Sequence, residues 1–155
     1  MPIPESVELS RAQHPVAGYF INPQQDSPSK YYNEFPEPVL PRSRSNAWDA
    51  HVYFDANEAE LAQKLHDKFR REFPELRIYT IWDRPIGPHS KNMFELQIDT
   101  PAQFGAVVPW LNFNRGNLSV LVHPKTSDGG KADHTRHAFW LGEKLPVKLA
   151  IFDQL

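Results

Sequence analysis

The chain has 155 residues, enough for one domain of ordinary size and too few for a two-domain nucleotide-dependent enzyme. Its 17 Lys and Arg against 19 Asp and Glu give a net charge of -2, which excludes the basic surface that binds nucleic acid through phosphates. No apolar run reaches the roughly 18 residues of a membrane-spanning helix, and zero Cys excludes disulfides, thiolate nucleophiles, zinc fingers and iron–sulfur clusters, so any metal must be held by imidazole, carboxylate or carbonyl groups.

The first residues, MPIPESVELSRAQ, lack the basic and apolar regions of a secretion signal, so the expected compartment is the cytoplasm. Eight of the 15 prolines fall before Asn46, in a stretch without period 2 or 3.6. Residues 1–46 therefore read as a Pro-rich arm and 47–155 as the folded domain. The arm carries Tyr19, Phe20, Ile21, Tyr31, Tyr32, Phe35, Val39 and Leu40, too many apolar groups for a disordered tail, and is expected to dock on the domain or on a second subunit, which allows a homodimer.

Beyond Asn46 the periodicity sharpens. His51 to Phe54 alternates as a half-buried strand. Asp55 and Glu58 form a capping box for a helix with Leu61, Ala62, Leu65 and Phe69 on its apolar face and His66 on its exposed side. Strands are expected over Arg77 to Asp83 and Met93 to Asp99. Thr100-Pro101 opens a second helix, which Pro109 interrupts, and Leu118 to His123 is a fourth strand. The order β-α-β-β-α-β predicts an α+β, ferredoxin-like antiparallel sheet with both helices on one face. A short helix from Asp133 to Leu141 and an alternating strand from Leu145 to Ile151 are expected to follow, partly covering the open face.

Strand parity then decides the chemistry. If Val52, Phe54, Phe94, Leu96, Ile98, Val120 and Val122 face the helices, His51, Tyr53, Glu95, Gln97, Ser119 and His123 share the other face. The fourth strand runs antiparallel beside the first, so His51 and His123 are expected as neighbours. Two imidazoles converging there are the start of a divalent-metal site of the kind that non-haem Fe(II) oxygenases use. The third ligand stays open among His89, in the Pro-stiffened loop Arg84 to His89, Glu95, which would complete a two-His, one-carboxylate set, and His134. His137, one turn from His134, is expected to pair with Asp128 or Asp133, and Trp82, Trp110 and Trp140 to serve packing.

The strings HVYFD (His51 to Asp55), RPIGPH (Arg84 to His89), LSVLVHPKT (Leu118 to Thr126) and DHTRHAFWLG (Asp133 to Gly142), in that order, resemble the DOPA 4,5-dioxygenase-like family of small extradiol ring-cleaving enzymes. The resemblance implies a ferredoxin-like α+β fold and Fe(II)-dependent opening of a catechol ring by O2, with the family's histidines at His51, His89, His123 and His134. On that basis His51, His89 and His123 are the expected metal ligands, with Zn or another divalent ion able to take the place of Fe(II). His134 is the expected acid/base, with His89 as its substitute. Tyr53, Tyr79 and Arg84 are expected to line the pocket, Arg84 facing a substrate carboxylate. Two other classes fit the same imidazoles: a non-catalytic ferredoxin-like module that binds a metal or small ligand, and a hydrolase using zinc-bound water.

Overall fold

A computed structural model describes residues 2–41 and 46–154; the last part of the expected arm, 42–45, lies outside the described residues. The sheet has four antiparallel strands in the order β2-β1-β3-β4, from β1 (Trp48–Phe54), β2 (Asn92–Ile98), β3 (Ser119–Pro124) and β4 (Phe139–Leu141). Helices α1 (Ala59–Glu72) and α2 (Pro101–Asn114) pack on one face, and a one-turn α3 (Gly130–Asp133) precedes β4. The fold is α+β, consistent with a ferredoxin-like arrangement.

Local sequence explains the helix ends. Asp55 and Glu58 make the reciprocal capping box, and Thr100 accepts from Gln103 N–H while Gln103 reaches back to the Thr100 N–H. Pro109 sits inside α2, which continues to Asn114. The helix-facing core holds Ala50, Val52 and Phe54 of β1, Phe94, Leu96 and Ile98 of β2, Val120 and Val122 of β3, with Ala62, Leu65, Phe69, Val107 and Leu111 from the helices. These alternate positions obey the parity expected of a sheet covered on that side.

The expected strand from Arg77 to Asp83 is broken. It meets β2 only at the bridges Ile78–Leu96 and Trp82–Met93. Four residue steps on this edge span three on β2, so one residue bulges out and regular pairing stops. His66 belongs to this correction: it is buried rather than exposed, because the α1 face carrying Ala62, Leu65 and Phe69 also carries it, and its Nε2 bonds the Tyr79 carbonyl, pinning the irregular edge to the helix.

The region after Asp133 also departs from expectation. The helix ends at Asp133, and Phe139–Leu141 is instead the fourth strand. Asp133 does not open a helix because its carboxylate accepts from Thr126 N–H (3.2 Å) and Oγ1 (2.5 Å), closing the loop between them. Phe139 and Leu141 then face the helix layer and Trp140 the opposite one, as strand alternation requires. The expected last strand reduces to a bridge between Val147 and His89, after which Leu149–Gln154 turns into a 3-10 helix. No helix among the described residues is long and apolar enough to cross a membrane.

Of the arm, the stretch 35–40 docks. Val39 bridges Thr126, Leu40 N–H donates to the Lys125 carbonyl, and Phe35 packs on Trp48 and Phe104. Tyr19, Phe20, Ile21, Tyr31 and Tyr32 stay exposed.

Candidate metal centre

The second face of the sheet is roofed over. Tyr53, Met93 and Leu121 are buried beneath Trp82, Ile86, Ala138, Trp140, Leu145 and Val147, which come from the loop before β2 and from the C-terminal third of the chain. That roof carries two of the four imidazoles to the sheet that carries the other two. His51 of β1 and His123 of β3 lie on the sheet, with Asp49 directly opposite His123 in the register. His89 is held over them by its backbone bridge to Val147, and His134 caps the C-terminus of α3.

The four rings close a circuit. Centroids lie 4.1 Å apart for His51–His89, 5.1 Å for His51–His123, 3.9 Å for His123–His134 and 6.1 Å for His89–His134. His51, His89 and His123 are buried, and His134 is half-buried. The loop from Arg84 thus curls over the sheet far enough to bring His89 to His51.

Hydrogen bonds fix which nitrogens are free. His123 donates Nδ1–H to the Pro124 carbonyl (2.9 Å) and His134 donates Nδ1–H to the Gly130 carbonyl (2.7 Å), so each turns an Nε2 lone pair to the centre. The Nε2 atoms of His51 and His123 are 3.0 Å apart, and His51 Nδ1 is buried without a partner. Tyr53 Oη lies 2.6 Å from His89 Nδ1. Burial holds the Tyr53 phenol above its ordinary pKa, so it stays protonated, and where it donates to Nδ1, His89 presents Nε2–H to the cavity.

Burial also keeps the imidazoles neutral. His89 is pushed down to about 3, by burial first and then by His134 and His123. His123 and His134 are each pushed down to about 4, again chiefly by burial, and His51 lies well below its ordinary value for the same reason. Asp49 moves the other way: burial raises it, against the opposing pull of Lys125, 3.4 Å away, and of Asn46, which donates to its other oxygen. Glu95, opposite His51 and beside Asp49, is raised to about 7 by burial and by Asp49.

Among the described residues two groups have ligand atoms within 4.8 Å of one another: Asp49, His51 and His123, and His51, His89 and His134. His51 is common to both. The expected trio of His51, His89 and His123 is divided between them, and Glu95, engaged with Gln97 and Asp49, is in neither. Asp49 was not anticipated. The signal was present, since Asp49 is two residues from His51 and so shares its face.

Of the expected pocket residues, only Tyr53 reaches the cluster. Tyr79 lies on the bulged edge, 43% exposed, and Arg84 is exposed with its guanidinium over the Trp82 ring at 5.8 Å. His137 pairs with Asp128 at 2.8 Å, and Trp140 stacks on Tyr53 at 5.6 Å.

The C-terminal 3-10 helix closes one side. Phe152 lies 4.9 Å from the His134 ring, and a Cβ at Gly130 would come within 2.7 Å of the Phe152 ring. Gly130→Ala is therefore expected to push Phe152 outward and cost about 1–3 kcal/mol, read as a lowered Tm. In a Phe152→Ala background the same substitution should cost far less; an equal cost in both backgrounds would refute the steric account.

The sequence profile of the Dopa 4,5-dioxygenase family matches residues 48–151. An uncharacterized 21.2 kDa protein of Botryotinia fuckeliana is 47% identical over 144 residues, covering 87% of this chain and 78% of that protein. A DOPA 4,5-dioxygenase of Amanita muscaria is 32% identical over 116 residues, 70% of this chain, which spans about half (50%) of that enzyme's length. Among solved structures, a candidate dioxygenase of Nostoc punctiforme superposes with a TM-score of 0.65 at 38% identity, covering 70% of this chain and 92% of that one.

Proposed function

The chain belongs to the Dopa 4,5-dioxygenase family, and from that premise we propose that it is a non-haem, Fe(II)-dependent extradiol dioxygenase that opens the ring of a catechol such as DOPA or a related catecholic acid. One observation carries this reading: Asp49, His51 and His123 offer two imidazole nitrogens and a carboxylate oxygen within 4.8 Å, buried, with His89 and His134 across the same space. Two-His, one-carboxylate sets with open positions suit ferrous oxygenases.

The residues fit such an ion. Two Nε2 atoms at 3.0 Å cannot both present lone pairs to each other, whereas a shared cation accepts both. Burying the Asp49 carboxylate is costly, and a divalent charge offsets that cost. The bond from His123 Nδ1 to Pro124 is the outer support that orients a metal-bound imidazole. The alternative set of His51, His89 and His134 needs a lone pair on His89 Nε2, which Tyr53 opposes by donating to Nδ1.

When bound, ferrous iron supplies Lewis acidity toward the adjacent oxygens of a catechol and redox reactivity toward O2. The chain's own groups move protons. His134, its Nδ1–H tied to Gly130, stands as acceptor at Nε2, and His89, its Nδ1 tied to Tyr53, stands as donor at Nε2. Both rings are held neutral by burial. A catecholate beside them would draw their pKa values upward, into the range where an imidazole can take a proton and return it. The roof of Trp82, Ile86, Leu145 and Val147 covers the apolar floor beside the centre, so solvent reaches it from the His134 side.

Anaerobic loading with Fe(II), followed by oxygen and a catechol, is the direct test. The expected result is one O2 consumed per catechol and a yellow muconic semialdehyde-type product, with no turnover on Zn. Tight iron binding without oxygen uptake would instead make the protein a binding module, and oxygen-independent cleavage of an ester by the Zn-loaded protein would make it a hydrolase.

A further inference from the structure

Beside His134 the surface opens into a cleft of about 230 Å3, lined chiefly by His134, Trp140, Lys144, Leu145, Val147 and Leu149. His134 is the one half-buried ring of the four, so this cleft is where the imidazole circuit meets solvent. Its walls are apolar and aromatic, its lining includes no carboxylate, and Lys144 is its one charged residue. Glu143, the neighbouring acid, stays outside the lining, and three other acids are engaged elsewhere: Asp128 with Arg136 and His137, Asp153 with Lys131, and Asp133 with Thr126. Lys144 has no ion-pair partner among the described residues.

We propose that this cleft receives the arm of the substrate, that the arm is anionic, and that Lys144 is the residue that selects it. The inference rests on the ring-opening reading and deepens it by fixing which side chain reads the substrate's charge. A ring lodged at the imidazole circuit would point its substituent along Trp140, whose face lies over Tyr53, toward the ammonium at the rim. An uncompensated cation at the mouth of an apolar cleft favours a carboxylate over a neutral or cationic arm. Arg84, the cation expected for this role from sequence, is exposed above Trp82 and does not line the cleft.

The test compares 3,4-dihydroxyphenylacetate with 4-methylcatechol on the anaerobic Fe(II)-loaded protein, by calorimetric titration and then by oxygen uptake. The acid is expected to bind about tenfold more tightly than the methyl compound, as a difference of one charged contact allows. Lys144→Gln should bring the ratio of the two Kd values toward one and Lys144→Glu should invert it, with the loss appearing mainly in KM. Lys148→Gln, on the same segment outside the cleft, should keep the wild-type ratio. An unbiased wild type, or a Lys144→Gln protein that retains the preference, overturns the proposal. If no catechol is turned over, 3-phenylpropionate is titrated against the tryptophan fluorescence of the same protein. Salt-sensitive binding that Lys144→Gln abolishes keeps this inference while the ring-opening reading falls, and binding indifferent to Lys144 removes it.

Discussion

Asp49→Asn is expected to purify with less than about a tenth of the wild-type iron and to lose ring-opening activity by at least about 100-fold, since even an outer partner of a metal ligand is worth 10–100-fold. The substitution preserves shape and the contact with Asn46 while removing the negative charge and one hard oxygen donor from the group containing His51 and His123. It also relieves an unfavourable burial, since desolvation raises Asp49 and the Asp49 charge raises Glu95. The metal-free variant should therefore melt no lower than wild type, which separates lost ligation from lost fold. His51→Ala and His123→Ala are expected to lose iron in the same way. His134→Ala should keep iron and lose rate by about 10²–10⁴, the range of a single acid/base group. Metal content by elemental analysis and turnover by oxygen uptake decide the matter. Iron retained in Asp49→Asn and lost in His134→Ala would transfer the ligand role to His51, His89 and His134.

The contrast between Asp49 and His89 shows what a sequence carries about such a site. His51 and His123 were legible because alternation is local and the order of the strands fixes which ends meet; no tertiary knowledge beyond topology enters. Asp49 obeys the same parity and could have been read with them. Glu95, opposite His51 on β2, obeys it too, so parity alone leaves two carboxylates facing the site, and packing is what places Asp49 rather than Glu95 within ligand distance of His51 and His123. His89 and His134 are different. Their places depend on loops laid over Tyr53 and Leu121 and on the Val147 bridge, contacts distant in sequence with no periodicity to report them. The strand at Phe139–Leu141 fails for a related reason: a three-residue apolar run fits a helix end as well as a strand, and only pairing with β3 distinguishes them. The bulge on the edge before β2 and the burial of His66 against it likewise arise from tertiary contact.

The same ring of imidazoles is expected to make the metal-free protein markedly acid-labile between pH 6.5 and 4. In the unfolded chain each ring takes up a proton near 6.5, whereas in the fold His123 and His134 hold out to about 4 and His89 to about 3. Through that window the unfolded state binds more protons, so stability rises with pH, is complete above 6.5 and drains away as pH falls. For His123, almost wholly buried, the loss at pH 5 is about 2 kcal/mol. Several rings losing stability together reach a large part of the roughly 5–15 kcal/mol that holds a domain folded. Glu95 works in the opposite direction, since its raised pKa of about 7 favours the folded state below the ordinary carboxyl range and withdraws that support as pH climbs through 7. Asp49, raised by burial, acts in the same sense as Glu95, but two carboxyls do not offset four imidazoles, so the net slope stays positive. Urea unfolding of the metal-free protein should show a midpoint that drops steeply from pH 7 to pH 5, and His123→Gln should flatten that dependence. A midpoint constant from pH 7 to pH 5 would mean that the rings are not buried together. Loading with Fe(II) or Zn at neutral pH should raise the midpoint by mass action and shift the acid transition downward, because the ion occupies the nitrogens that protons would otherwise take on unfolding.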